Sequence, residues 1–161
     1  PNAGKSSLLS VITRAKPKVA DYPFTTIDPN LGVVRYDDKE ITLADIPGLI
    51  EGAHKGVGLG DKFLRHIERC KILLHLIDVS ENDLVGNYLK LRHELTKYNV
   101  ALAKKNELIF FNKADLMSKH ELDTKLNLFS KKVKKKFEVI SVFNNKKINN
   151  VKKILLKNVY K

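Results

Sequence analysis

Apolar positions along the chain follow two periods. Near-continuous apolar runs rich in β-branched residues occur at 71–80 (KILLHLIDVS) and 107–112 (ELIFFN), with a shorter one at 136–142 (KFEVISV). Such runs suit strands buried on both faces of a parallel sheet. LGVVRYD (31–37) and EITLADIP (40–47) predict two strands joined by a tight turn at Asp37-Asp38-Lys39. Helical spacing governs 5–15, 61–70 and 84–104. In the last of these Leu84, Tyr88, Leu91, Leu95, Tyr98 and Leu102 recur every three or four residues. Weaker helices are expected at about 119–134 and 147–158. Segments 16–30 and 48–60 fit neither period, are rich in Gly, Pro or Thr, and adjoin strand ends. The pattern predicts one α/β domain, a mostly parallel, doubly wound sheet with helices on both faces. In such a sheet a ligand sits beyond the carboxyl ends of the strands.

Composition narrows the class. The 161 residues are enough for one domain with a sizeable core, and 43% of them are hydrophobic. The most apolar stretch, ILLHLIDV, is far shorter than the roughly 20 residues that cross a bilayer. A single cysteine, Cys70, excludes an intrachain disulfide and fits a reducing compartment. The net charge of +12 is uneven: residues 131–161 hold eleven lysines and one acid, Glu138, against 19 basic and 17 acidic residues in 1–130. This basic end reads either as a contact for nucleic acid, RNA above all, or as lysine-biased, solvated helix faces. No aromatic residues interleave with these lysines, as base stacking would need.

The chain opens on PNAGKSS, most of a phosphate-binding loop whose first glycine would lie before Pro1. Gly4 permits a tight turn that aims N–H groups at phosphate oxygens. Lys5 reaches the β- and γ-phosphates, and the Ser6 hydroxyl binds Mg²⁺. Forty residues after Lys5, Asp45 of ADIPG ends an apolar strand, where its carboxylate can hold the metal through water. Gly48 can offer its N–H to the γ-phosphate, and Thr26 of DYPFTT can close over the metal. NKAD follows strand 107–112. Asn112 matches the O6/N7 edge of a purine, and the Asp115 carboxylate accepts from N1–H and the exocyclic N2–H₂. Guanine presents both donors and adenine does not, so the motif selects GTP. Ser141, at the end of the last strand, lies near the base.

With these motifs in this order, residues 1 to about 143 resemble the Obg group of translation-factor-related GTPases. The most specific stretches are KPKVADYPFTTIDPNLGVV and DIPGLIEGAHKGVGLGDKFLRHIERC. An ATP-preferring sister group is similar around YPFTT but lacks NKAD. The tRNA-modifying GTPases share PNAGKSS but not the long glycine-rich second switch. The resemblance implies a P-loop NTPase G domain over 1–161 and slow, Mg²⁺-dependent hydrolysis of GTP coupled to large-ribosomal-subunit assembly. It implies GTP and GDP as ligands, the large subunit and its rRNA as partners, and a monomer in the cytoplasm. Carried over motif by motif, the nucleotide site comprises Pro1, Asn2, Ala3, Gly4, Lys5, Ser6 and Ser7 in the first loop, then Phe24, Thr25 and Thr26. Asp45, Ile46, Pro47 and Gly48 follow, then Asn112, Lys113 and Asp115, and last Ser141, Val142 and Phe143. Lys5, Thr26 and Gly48 serve hydrolysis, while Ser6, Thr26 and Asp45 hold the metal.

Three departures qualify the resemblance. Val142 and Phe143 are bulkier than the residues usual after that serine. The family's apolar strand before the phosphate loop, and its upstream glycine-rich domain, are not in residues 1–161. The chain is therefore expected to be an N-terminally truncated piece of a larger protein that folds poorly alone. Third, Leu49 stands where many GTPases carry a glutamine that orients water. Hydrolysis must rest on phosphate positioning, Mg²⁺ and backbone N–H groups, and be slow. The resemblance supplies a substitute: Asn2 helping to bind K⁺ beside the phosphates. A nucleotide sensor with incidental hydrolysis is the alternative, and a tRNA-modification GTPase a more distant one. The glycines at 52, 56, 58 and 60 suit a loop that orders around the γ-phosphate. His54 within it reads as solvent-exposed, Cys70 as core, and the other histidines lack metal-ligand spacing.

Overall fold

The structure, a computed structural model, describes residues 3–13, 31–45 and 70–160. Helix α1 spans Lys5–Thr13. Strands β1 (Leu31–Tyr36) and β2 (Lys39–Ala44) form an antiparallel hairpin in which Tyr36 pairs with Lys39. Asp37 takes the left-handed conformation, φ 51°, in the two-residue turn, which suits the short polar side chain of aspartate. Strand β3 (Ile72–Asp78) pairs in parallel with β4 (Asn106–Asn112), and β4 with β5 (Phe137–Val139). Among the described residues the hairpin and the three-stranded sheet are separate ladders. Helices α2 (Leu84–Tyr98), α3 (Val100–Ala103), α4 (Lys119–Val133) and α5 (Asn145–Val159) complete the chain order. Helix 61–70 lies outside the description except for Cys70, which is partly buried.

The pleat of β4 explains why helices cover both faces. Phe110 points into a core formed with Leu8 and Ile12 of α1, Val34 and Ile41 of the hairpin, and Ile148, Val151 and Leu155 of α5. Its neighbours Ile109 and Phe111 point the other way, into a core with Leu84 and Tyr88 of α2 and Phe129 of α4. Phe110, Phe111 and Phe129 are fully buried. On the second face Phe111 meets Phe129 edge-to-face, with ring centroids 4.8 Å apart. Such pairs add roughly 0.5–1.5 kcal/mol beyond their area. A β4 apolar on both faces is thus the centre of the molecule, as a parallel strand between helical layers must be.

The expected single helix over 84–104 is broken. Asn99 adopts an extended conformation, φ −158° and ψ 113°, and its side chain accepts from Leu102 N–H, so it starts α3 instead of continuing α2. Asparagine competes with the helix for backbone hydrogen bonds, and here it wins. The apolar stripe survives the break, with Leu84, Tyr88, Leu95 and Leu102 all buried. Strand 136–142 contracts to three residues because Ser141 to Asn144 turn into α5, with Asn144 N–H bonding Ser141 O at 3.0 Å. Other ends carry satisfied caps. Ser118 and Glu121 form a reciprocal capping box at α4, and Asp83 accepts from Gly86 N–H at α2.

Candidate nucleotide site

Strands β3, β4 and β5 all end on one rim, and the first turn of α1 comes to it. Gly4 has φ +90°, and a Cβ there would lie 2.5 Å from Asn112 Nδ2. Both backbone conformation and space demand glycine. The reason for the close approach is a hydrogen bond: Asn112 Nδ2 donates to Ala3 O at 2.9 Å, across 109 residues of sequence. Asn112 is 1% exposed, and its Oδ1 is buried with no partner. Gly4 O accepts from Leu8 N–H at 2.8 Å, so α1 begins at once and its first N–H groups face the rim. Lys5, Ser6 and Ser7 are exposed on that first turn.

After Asn112 the chain turns sharply. Lys113 is left-handed, φ 64°, and Asp115 is exposed in a 3₁₀ turn over Ala114–Leu116. Ala114 N–H reaches Ile140 O, stitching this turn to the end of β5. The Lys113 ammonium forms an ion pair with the Asp78 carboxylate at 2.5 Å. Asp78 also accepts from Ser80 Oγ at 2.6 Å and Ser80 N–H at 2.9 Å. Burial alone would raise its carboxyl, but Lys113 and Ser80 outweigh that and hold it below the usual range. Asp78, which motif spacing missed, holds Lys113 of the candidate site. Its signal was a carboxylate closing an apolar run, where a charge is costly unless paired.

Ser141 is buried, and its Oγ accepts from Phe143 N–H at 3.3 Å. Val142 packs into the core beneath α5, so its bulk does not enter the rim. Phe143 is 83% exposed. Asp45 follows β2, and its Oδ1 is buried without a partner. The unpartnered Asp45 oxygen and the exposed Ser6 hydroxyl are hard oxygen donors, the kind that suits Mg²⁺. Pro1, Asn2, Phe24, Thr25, Thr26, Ile46, Pro47, Gly48, Leu49 and His54 lie outside the described residues. Among the described residues no group of three or more His, Cys, Asp or Glu is placed to hold a metal. A cavity of about 280 Å³ between β5 and α5 is lined by Phe110, Ile140, Val151 and neighbours, and none of the rim residues belongs to it.

The sequence profile described as "50S ribosome-binding GTPase" matches residues 1–113. The chain belongs to that family. It is 54% identical over 159 residues, 99% of its length, to the GTPase Obg of Rickettsia felis, and covers 48% of that protein. It is 54% identical over 156 residues to the GTPase Obg of Pelagibacter ubique, again covering 48% of it. The chain thus spans about half the length of the curated relatives it matches. In fold, the chain is similar to the FeoB G-domain of Methanococcus jannaschii, with TM-score 0.67, 19% identity, and 100% and 93% of the two chains covered. It is also similar to a point variant of Aquifex aeolicus Era bound to GDP·AlF₄⁻, with TM-score 0.70, 21% identity, and 98% and 54% covered. The Obg resemblance and the P-loop G-domain fold expected from the motifs both stand.

The basic end of the chain requires one correction. Phe137 and Tyr160 stand beside these lysines in sequence, and the fold adds ring contacts between distant segments. Tyr36 of β1 lies under Lys153 of α5, with the ammonium 5.4 Å from the ring centroid, and Tyr160 lies between Lys39 and Lys71. Tertiary packing of α5 on the hairpin creates this interleaving, which linear spacing could not show. No helix among the described residues is long and apolar enough to cross a membrane.

Proposed function

We propose that this chain is the nucleotide-binding and hydrolysing part of a GTPase switch that acts in large-ribosomal-subunit assembly in the cytoplasm, as a monomer. The observation that carries the reading is the hydrogen bond from Asn112 to Ala3, because it ties the base-reading motif to the phosphate-binding loop. Asp115, exposed beside it, is free to accept from N1–H and N2–H₂ of guanine, and the exposed Phe143 can cover a face of the base. Lys5 and the N–H groups of the first turn of α1 receive the phosphates. Asp45 and Ser6, with Thr26, would hold Mg²⁺, which when bound neutralises phosphate charge. Binding of fluorescent GDP and ADP to the full-length protein tests this. Preference for GDP by at least about 100-fold is expected, since adenine leaves two acceptor positions of Asp115 unused. Equal affinities overturn it.

Hydrolysis is slow in this reading because Leu49 cannot orient water. Asn2 then binds K⁺ beside the phosphates in the manner the family resemblance implies. Single-turnover GTP decay in K⁺ and Na⁺ buffers checks the second point: equal rates remove K⁺ from the account. The same assay with large ribosomal subunits separates an assembly-coupled enzyme from a sensor. Acceleration supports the enzyme, and none supports the sensor.

A further inference from the structure

The cluster that gathers Tyr36 and Tyr160 lies at the end of the molecule away from the nucleotide rim. Three separate segments build it. The Tyr160 hydroxyl, just after α5, donates to Glu40 O of β2 at 2.6 Å. Its ring remains 50% exposed. The Lys39 and Lys71 ammonium groups stand 5.2 and 6.0 Å from its centroid. Lys71 also donates to Val159 O at 3.3 Å, which pins the start of β3 to the end of α5. One helical turn before Tyr160, exposed Lys153 and Lys157 share a face of α5, four residues apart. Among the described residues the acids of these elements are Asp37 and Asp38 in the hairpin turn and Glu40, and Arg35 takes up Glu40 at 2.6 Å. Positive charge is left in surplus around two aromatic rings.

We infer that this patch, Tyr160 and Tyr36 with Lys39, Lys71, Lys153 and Lys157, binds unpaired RNA. The lysines suit a phosphate backbone, and a half-exposed ring held by its own hydroxyl offers a flat stacking face at little entropic cost. A base stacked on an aromatic ring is held more firmly than an exposed ammonium over the same ring. An incoming base therefore displaces one lysine from Tyr160 and leaves that ammonium beside the phosphates. Double-stranded nucleic acid hides its bases and gains only the charge. A membrane surface would favour a broader apolar face, and Tyr160 is the one large exposed apolar side chain described on these elements. The inference rests on the ribosomal reading only for the source of the RNA.

The test measures fluorescence anisotropy of a labelled oligoadenylate of about 12 nucleotides with the full-length protein, across about 50 to 200 mM salt. Tyr160→Leu is expected to weaken binding about tenfold, while Tyr160→Phe stays within about twofold, since the ring and not the hydroxyl stacks. Lys71→Glu and Lys153→Glu should each flatten the salt slope by about 0.7. GDP affinity, measured in parallel, should be unchanged in every variant, because none touches the nucleotide rim. Wild-type binding by Tyr160→Leu, a duplex of equal length held as tightly as the single strand, or phosphatidylglycerol vesicles bound in place of RNA would each overturn the proposal. If Tyr160→Leu loses GDP as well, it has unfolded, and exposed Lys153→Glu decides the matter alone. A wild-type protein that ignores GDP but holds the RNA would instead defeat the nucleotide reading and leave this one standing.

Discussion

The two ends of strand β4 treat their buried side-chain oxygens in opposite ways. At its carboxyl end Asn112 is buried with Oδ1 unpartnered, and Asp45 Oδ1, just after β2, is in the same condition. At its amino end, about 16 Å away along the strand, the Glu107 carboxylate is 3% exposed and fully engaged. It receives His75 Nδ1 at 3.0 Å, the Tyr88 hydroxyl at 2.9 Å and Lys135 Nζ at 3.0 Å, while Arg92 Nη1, 3.7 Å off, is buried without a hydrogen bond. Burial pushes the Glu107 carboxyl up, but the bonds from His75, Lys135 and Tyr88 win and bring it down to about 2. A buried polar group costs free energy unless it is paired. Where pairing is complete, the group serves the fold. Where oxygens are left over, on Asn112 and Asp45, they belong to the two motifs read as the candidate nucleotide site.

The sharpest break of this contrast is at the rim. Asp115→Asn replaces an acceptor by a donor, so guanine nucleotide affinity should fall by about 10²- to 10⁴-fold, two charge-assisted hydrogen bonds. Xanthine nucleotides, which carry oxygen at C2, should gain. Measured stability should hardly move, because Asp115 is exposed. If both affinities fall with no exchange of preference, Asp115 does not read the base.

The next effect belongs to the opposite end. Glu107→Gln should destabilise by on the order of 3 kcal/mol, leaving His75, Lys135 and Arg92 without their shared anion. Because the folded carboxyl is depressed from 4.5 to about 2, its stabilisation is present above about pH 4.5 and disappears as pH falls toward 2. Thermal melts of wild type and variant should therefore converge over that window. GDP affinity of the folded variant should be unaltered. Melts that stay parallel down to pH 2 would deny the network its role.

A smaller change tests the residue that joins the two behaviours. Asp78→Asn removes the charge that holds Lys113, and guanine nucleotide affinity should drop about tenfold with a loss of about 1–2 kcal/mol in stability. Unchanged affinity would make the Lys113 pair purely structural. Smallest, Ser118→Ala breaks the α4 capping box and should cost about 1 kcal/mol with no effect on nucleotide. An affinity change there would extend the nucleotide site beyond the rim.

Local pattern was enough for the layers. The apolar runs at 71–80 and 107–112 suited strands covered on both sides, and the alternation of Ile109, Phe110 and Phe111 between two cores follows from the two-residue period. The motif order also pointed to the element ends that form the candidate site, since Gly4, Asp45 and Asn112 each follow or precede an element boundary readable in one dimension. The break at Asn99 was not readable, because the apolar stripe runs through it and the cap that marks it is one side-chain hydrogen bond to Leu102 N–H.

What only the tertiary structure decided are meetings between distant segments. Asn112 on Ala3, Lys113 on Asp78, Lys135 on Glu107 and Tyr160 between Lys39 and Lys71 all join residues far apart in the chain. A sequence carries the period of each element, which is set by its own backbone geometry. It does not carry the distance between elements, which is set by how whole faces pack, and hydrogen bonds and ion pairs act only over a few ångströms.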